Sequence, residues 1–342
     1  MLVRWRGAVL AAMLLLAGSA IMTGAAGPAR AQPHRIDFVI DSEMGPVTSR
    51  VFRAADGSTG RVVYALHGME SIDNGKGWDT DTDLVRILTG ANINVVVPQN
   101  GRTSFFTDWK APSTPGLGCF SQILPDAGSA DGAQSLSAET NSAVQERAYK
   151  WETVLTRDLP NALQQRFGLS PVGNAVIGVS MGGLAALNLA AHHPGQFDYA
   201  ASLSGFPHIS TLGMPEAMRL AVAAKGSLNI DCMWGPPWHA LWRRNDPYEM
   251  AAAYIVANTR LYIASGTGNL GPSEQSPDGD TAFGAFLESA AYSNTKAFEE
   301  KLGAMNYGNV VYDYWDPGIH SWPYWRDHTK SLTDDLIAHL AP

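Results

Sequence analysis

Charged side chains are scarce in this chain: 16% of its 342 residues are Asp, Glu, Lys or Arg, against roughly 25% in an average soluble domain. With hydrophobic residues at 45%, that composition excludes disorder for most of the chain and leaves enough apolar material for a sizeable core. Basic residues are outnumbered, 24 to 32, and the formal charge of −8 argues against nucleic acid as a partner. Beyond residue 31 no apolar run is long enough to cross a bilayer, which takes about 20 residues. Internal repeats and heptads are lacking, so solenoids and coiled coils drop out. No His-Glu-x-x-His pattern or clustered ligand spacing is present, so no metal is expected. Cysteine is limited to Cys119 and Cys232, too few for a disulfide framework.

What is present begins with an address. Arg4 and Arg6 precede an apolar run over 8–16 that continues to Met22, and small residues end at Ala29-Arg30-Ala31. This is the layout of a secretory signal peptide cleaved before Gln32. An uncleaved anchor is the alternative, but Gly18, Ser19, Thr23 and Gly24 interrupt the run. The expected organisation is a signal peptide, 1–31, and a single catalytic domain, 32–342, since large α/β folds often run this long as one unit. Cleavage removes three arginines and no acid, taking the formal charge from −8 to −11. In an exported chain the two cysteines point to one disulfide closing a long loop; two buried thiols remain the alternative, because spacing does not show that they meet.

Apolar, β-rich runs recur at 35–40, 61–66, 93–98, 175–179, 199–203, 260–264 and 310–315, with helical patterns between them. That alternation predicts βαβ units and a largely parallel sheet, hence an α/β class. Trp151, Leu155, Leu159, Leu163 and Phe167 form one apolar stripe at spacing four, a packing face that Pro160 must kink or break. Further helices are expected after Ser180, over 281–302 and over 325–340. Stretches 111–141 and 265–280, rich in small and polar residues, read as loops.

The motif that carries chemistry is Gly178-Val179-Ser180-Met181-Gly182, preceded by the apolar run Asn174-Ala175-Val176-Ile177 and followed by a helix-forming stretch. Strand, sharp turn and helix is the context of a nucleophile elbow, with the serine at a helix N-terminus where developing negative charge is stabilised. A serine hydroxyl needs a base, normally a histidine held by a carboxylate, and in this fold the chain order is Ser, acid, His. His320 stands after the last strand candidate and before the final helix, where the fold puts that base. His328 and His339 fall inside the helix and read as surface residues. Glu274, Asp278, Asp280, Glu288, Glu299 and Glu300 all compete for the acid: position favours 274–280, whereas Glu288 sits in an apolar stretch where a carboxylate must have a partner. The oxyanion hole needs two backbone N–H groups, expected from Met181 and, in Leu66-His67-Gly68-Met69, from Met69. His67 reads as a hydrogen-bonded loop histidine.

Six segments stand out beyond the pentapeptide: Gly77-Trp78-Asp79, Ser104-Phe105-Phe106-Thr107-Asp108-Trp109, Lys150-Trp151-Glu152-Thr153-Val154-Leu155-Thr156-Arg157, Met233-Trp234-Gly235-Pro236, Arg244-Asn245-Asp246-Pro247 and Gly318-Ile319-His320-Ser321-Trp322. In these the chain resembles the mycobacterial mycolyltransferases of the antigen 85 complex and their corynebacterial relatives. The likeness runs collinearly from about residue 35 to 340. It implies an α/β-hydrolase fold and transfer of a mycolyl chain between trehalose mycolates, or onto cell-wall arabinogalactan, through an acyl-serine. It also implies Ser180 as nucleophile, Glu288 as acid, His320 as base, Met69 and Met181 as oxyanion donors, Ser321 and Trp322 beside the substrate, and no metal or organic cofactor. Acylated trehalose and cell-wall glycolipids would be the partners, and the cell envelope the location.

Three departures fall around the site. His67-Gly68-Met69-Glu70 stands where the family commonly reads Asp-Gly-Leu-Arg, placing an acid where an arginine helps to hold trehalose; His208 replaces an aspartate; and Ser265 replaces a cysteine. The loop over 116–149 is longer than in the mycobacterial enzymes. Glu70 and His208 therefore join Ser321 and Trp322 as candidate substrate-binding residues. Trp234, Trp238, Trp242, Trp315, Trp322, Tyr324 and Trp325 crowd the segments expected around the site, where aromatic faces suit sugars and acyl chains, with core packing the competing role for at least half. Two other readings stand beside acyl transfer: a secreted carboxylesterase or lipase using water, and an inactive wall-associated binding protein that keeps the fold.

Overall fold

Continuous apolar runs become the centre of a sheet and alternating ones its margin. A computed structural model describes residues 33–69, 75–113, 119, 148–226, 228–274 and 278–340. Its strands are β1 (Arg35–Ile40), β2 (Val47–Phe52), β3 (Val62–Leu66), β4 (Asn94–Pro98), β5 (Asn174–Val179), β6 (Phe197–Leu203), β7 (Arg260–Gly266) and β8 (Val310–Trp315). They form one sheet in the order β1-β2-β4-β3-β5-β6-β7-β8. β2 runs antiparallel to both neighbours, and every other pairing is parallel. Every residue of β3, β4 and β5 is buried, as expected of strands covered on both faces. β1, at the edge, alternates exposed and half-buried positions.

Among the described residues, the helices of seven residues or more are α1 (Leu84–Gly90), α2 (Leu159–Phe167), α3 (Met181–His192), α4 (Met214–Gly226), α5 (Ala251–Ala257), α6 (Gly279–Ala304) and α7 (Trp322–Leu340). On one face, Val63 and Ala65 of β3 pack with Leu84 and Leu88 of α1 and with Trp325, Leu332 and Leu336 of α7. On the other, Tyr64 and Leu66 pack with Leu159 and Leu163 of α2, Leu184 and Leu187 of α3, and Phe298 and Leu302 of α6. The sheet is thus sandwiched, and the C-terminal ends of its parallel strands are left to carry side chains for chemistry.

Some expectations shift. β2 was not among the expected runs: Thr48, Ser49 and Arg50 break its apolar character, and only its pairing between β1 and β4 makes it a strand. The stripe over 151–167 is broken before Pro160, not at it. A helical turn, Trp151–Thr153, passes through a π-helical turn, Val154–Asp158, and α2 begins with the proline in its first turn, where a missing N–H costs nothing. α1, α4 and α5 are not among the helices expected by range. The expected loop over 265–280 holds the end of β7 and a 3₁₀ turn, Pro272–Glu274.

The open question about cysteine is settled: Cys119 and Cys232 form a disulfide across 113 positions. The Cys232 carbonyl also accepts from the N–H groups of Lys110 and Ala111, at 3.1 Å each. Residues 1–31, Glu70 and most of the loop over 111–141 lie outside the described residues. Among the described residues, no helix is long and apolar enough to cross a membrane.

Candidate active site

Ser180 ends β5 and starts α3 with φ 55° and ψ −121°, a left-handed conformation that a non-glycine residue adopts only under constraint. The constraint is visible. Its N–H donates to the Leu203 carbonyl at 2.8 Å, and its own carbonyl accepts from Gly183 and Leu184. The glycines of the pentapeptide are required by close approach: a Cβ on Gly178 would lie 2.2 Å from Gly182 backbone atoms, and one on Gly182 would lie 2.7 Å from the carbonyls of Leu66 and His67. Ten of the twelve residues of α3 are buried, its alanines letting it lie close on the sheet. The turn therefore holds the serine at a helix N-terminus, half-buried, against the segment that follows β3.

Glu288 and His320 meet. Nδ1 of His320 lies 2.7 Å from Oε2 of Glu288, whose side chain is fully buried on α6. The other oxygen, Oε1, accepts from Ser204 Oγ at 2.6 Å and from the Gly266 N–H at 2.6 Å, and Ser265 Oγ lies 3.1 Å away. His320 is tied to the same helix by its N–H, which donates to the Gly284 carbonyl at 3.1 Å. Its ring meets Trp325 edge-on at 5.1 Å. Nε2 is buried and has no hydrogen-bond partner among the described residues; no bond joins it to Ser180 Oγ. An imidazole fixed at one nitrogen by a carboxylate and uncommitted at the other can take up and return a proton.

The competing acids are occupied elsewhere or face solvent. Glu274 accepts from Tyr324 OH and the Gly271 N–H, Asp278 caps α6 through the Thr281 N–H, and Glu299 bonds Tyr314 OH and Lys296. Asp280 and Glu300 are exposed. His328 and His339 are half-buried rather than free on the surface, facing Asp313 at 3.2 Å and Asp198 at 3.7 Å.

Met181 is buried at the first position of α3, its Sδ accepting the Phe105 N–H at 3.2 Å. Met69, in the segment after β3, is half-buried. That segment is pinned at Leu66, whose carbonyl accepts from Trp78 Nε1 at 2.8 Å, and at His67, whose Nδ1 lies 2.7 Å from the Gly68 carbonyl. The close approach at Gly182 brings the start of α3 against this segment.

Of the expected substrate contacts, Ser321 directly follows His320, while Trp322 is buried and edge-packed on Trp78 and Trp325. His208 stacks on Tyr248 at 3.9 Å, and its N–H donates to Asn294 on α6. Beside that stack, burial pushes the Asp246 carboxyl above the usual range despite bonds from Ser210. Packing claims Trp234, Trp242, Trp315, Trp322 and Trp325; Trp238 stays exposed and Tyr324 half-buried. Ser204 was missed as part of the site, and Trp325, expected only among the aromatics around it, bonds to Ser204. Ser204 Oγ accepts from Trp325 Nε1 at 2.8 Å while donating to Glu288. The available signal was position: Ser180, Ser204 and Ser265 are polar residues at the C-terminal ends of adjacent parallel strands.

Residues 49–339 match the family described as "Putative esterase". The chain is 34% identical over 274 residues to the diacylglycerol acyltransferase/mycolyltransferase Ag85C of Mycobacterium leprae (strain TN), covering 80% of this chain and 73% of that protein. With Ag85A of the same organism the identity is 32% over 284 residues, covering 83% and 77%. Among solved structures, Mycobacterium tuberculosis MPT51 (FbpC1) superposes with a TM-score of 0.71 at 23% identity, over 90% of this chain and 99% of that one. With the sheet order above, the fold is that of an α/β-hydrolase.

Proposed function

The chain belongs to the esterase family that holds the Ag85 mycolyltransferases, and on that premise we propose that it is a serine acyltransferase moving a mycolyl, or similar long acyl, group between sugar hydroxyls. The donor is an acylated trehalose, and the acceptor is a second acyl-trehalose, arabinogalactan or another hydroxyl. Ser180 is the nucleophile, His320 the base and Glu288 the acid that holds it. The observation that carries this reading is the buried Glu288–His320 bond with Nε2 left uncommitted, in a chain whose serine elbow opens against the segment after β3.

In the first half-reaction Ser180 Oγ attacks the ester carbonyl as its proton passes to Nε2 of His320. The tetrahedral oxyanion lies on the N–H groups of Met69 and Met181, and the sugar oxygen leaves with the proton from Nε2. In the second, an acceptor hydroxyl gives its proton to Nε2 as it attacks the acyl-serine carbonyl, and the Ser180 Oγ–carbonyl bond breaks as Nε2 returns the proton to Ser180 Oγ, releasing the acylated acceptor. Glu288 holds the imidazole in the Nδ1–H tautomer and stabilises its charge. Residues 1–31 act as a signal peptide, residues 32–342 form one catalytic domain, and the mature enzyme works at the cell envelope.

Transfer and hydrolysis share these groups, so the acceptor decides between them. Mature protein given trehalose monomycolate is expected to yield trehalose dimycolate, with free mycolic acid falling as trehalose or another acceptor is added. Release of free acid at the same rate with and without acceptors would make the protein an esterase.

A further inference from the structure

The segment Gly101-Arg102-Thr103-Ser104-Phe105-Phe106 is strained and, apart from exposed Arg102, buried, yet it donates nothing to the triad proposed above. Thr103, Phe105 and Phe106 have φ of 55°, 53° and 48°, a region costly for β-branched and aromatic residues. Thr103 Oγ1 is buried with no partner among the described residues. The loop is nonetheless locked. Ser104 Oγ donates to the Gly101 carbonyl at 2.7 Å and accepts the Phe106 N–H at 3.1 Å, and Trp109 Nε1 donates to the Ser104 carbonyl at 3.0 Å. A Cβ on Gly101 would lie 2.6 Å from the Phe106 ring.

Two contacts lead from this loop to the two oxyanion donors. Phe105 N–H donates to Sδ of Met181. The Phe106 ring meets His67 edge-on at 5.1 Å, and Nδ1 of His67 lies 2.7 Å from the Gly68 carbonyl. Since a carbonyl only accepts, Nδ1 carries the proton. The Gly68 carbonyl and the Met69 N–H belong to one planar trans peptide and point in opposite directions. Fixing the carbonyl therefore aims the N–H.

We infer that His67 is a positioning residue for the Met69 oxyanion donor, and that the strained loop over 101–106 braces His67 and Met181 together, setting both halves of the hole. The inference rests on the proposed acyl-serine chemistry. Strain persists here because the surrounding bonds over-determine it, a pattern common where geometry matters to function.

The test compares His67→Leu, His67→Asn and Thr103→Gly with wild type, using trehalose monomycolate turnover and the Kd of an alkyl trifluoromethyl ketone that forms a tetrahedral adduct. His67→Leu is expected to lower kcat about 10–100-fold with KM within about threefold, and to weaken the ketone in parallel. His67→Asn, which keeps a donor near Nδ1, recovers most of kcat. Thr103→Gly, relieved of its steric cost, keeps or raises Tm while kcat falls severalfold, so it stands if His67→Leu fails to fold. An unchanged kcat in both His67→Leu and Thr103→Gly, or equal losses in His67→Leu and His67→Asn, overturns the inference. Wild-type acylation at Ser180 is the control: its absence overturns the reading beneath, whereas its presence with unaffected variants removes only this inference.

Discussion

Ser204 joins two groups by bonds of opposite sense, accepting from Trp325 and donating to Glu288. Ser204→Ala strips one donor from a buried carboxylate and leaves a buried indole N–H unpaired. It is expected to cost about 2–3 kcal/mol in denaturant unfolding and to lower kcat roughly tenfold, because Glu288 then holds His320 less firmly. Glu288→Gln keeps the shape but not the charge; kcat falls by about 10³-fold or more in steady-state assays. Ser180 and His320 are nominated in the sequence by the pentapeptide and the chain order. Glu288 needed more, since position alone pointed to 274–280; its apolar surroundings and the family likeness singled it out. Ser204 and its bond to Trp325 stayed hidden because that bond spans 121 positions and exists only once α7 lies on the sheet.

At the scale of elements, Glu152 clamps three of them. It faces His193, just after α3, at 3.0 Å and Arg244, at the end of the helical turn Ala240–Arg244, at 3.0 Å. Burial alone would raise its carboxyl, but the bonds from His193 and Arg244 prevail and bring it down from 4.5 to about 2. A folded-state value below the unfolded one means that the clamp stabilises fully above about pH 4.5 and is lost as pH falls toward 2. Glu152→Gln is expected to lower stability at pH 7 by about 2–3 kcal/mol and to flatten the acid limb of Tm against pH in that window. Lys150-Trp151-Glu152 was legible as a family motif and its helix as a packing stripe. The clamp was not, because His193 and Arg244 reach Glu152 only through the fold. β2 escaped for a related reason: its polar residues make sense only between two pairing partners.

Across the whole molecule, alternation of apolar runs and helical stripes gave away a parallel α/β sheet, while strand order and the antiparallel β2 needed the structure. The disulfide between Cys119 and Cys232 closes a loop of 113 positions that includes β5, α3 and β6. Replacing both cysteines by alanine is expected to reduce stability by about 2–5 kcal/mol in chemical denaturation, and 25 °C activity of the folded fraction should persist, since neither cysteine bonds Glu288 or His320. The proposed chemistry depends on Ser180 becoming a nucleophile through the Glu288–His320 pair. Its most direct test is intact and peptide mass spectrometry of the mature protein after brief exposure to trehalose monomycolate. One mycolyl adduct is expected on Ser180, absent in Ser180→Ala, far slower to form in His320→Gln and cleared on adding a sugar acceptor. Turnover with no adduct on Ser180, or acylation undiminished in His320→Gln, would contradict it.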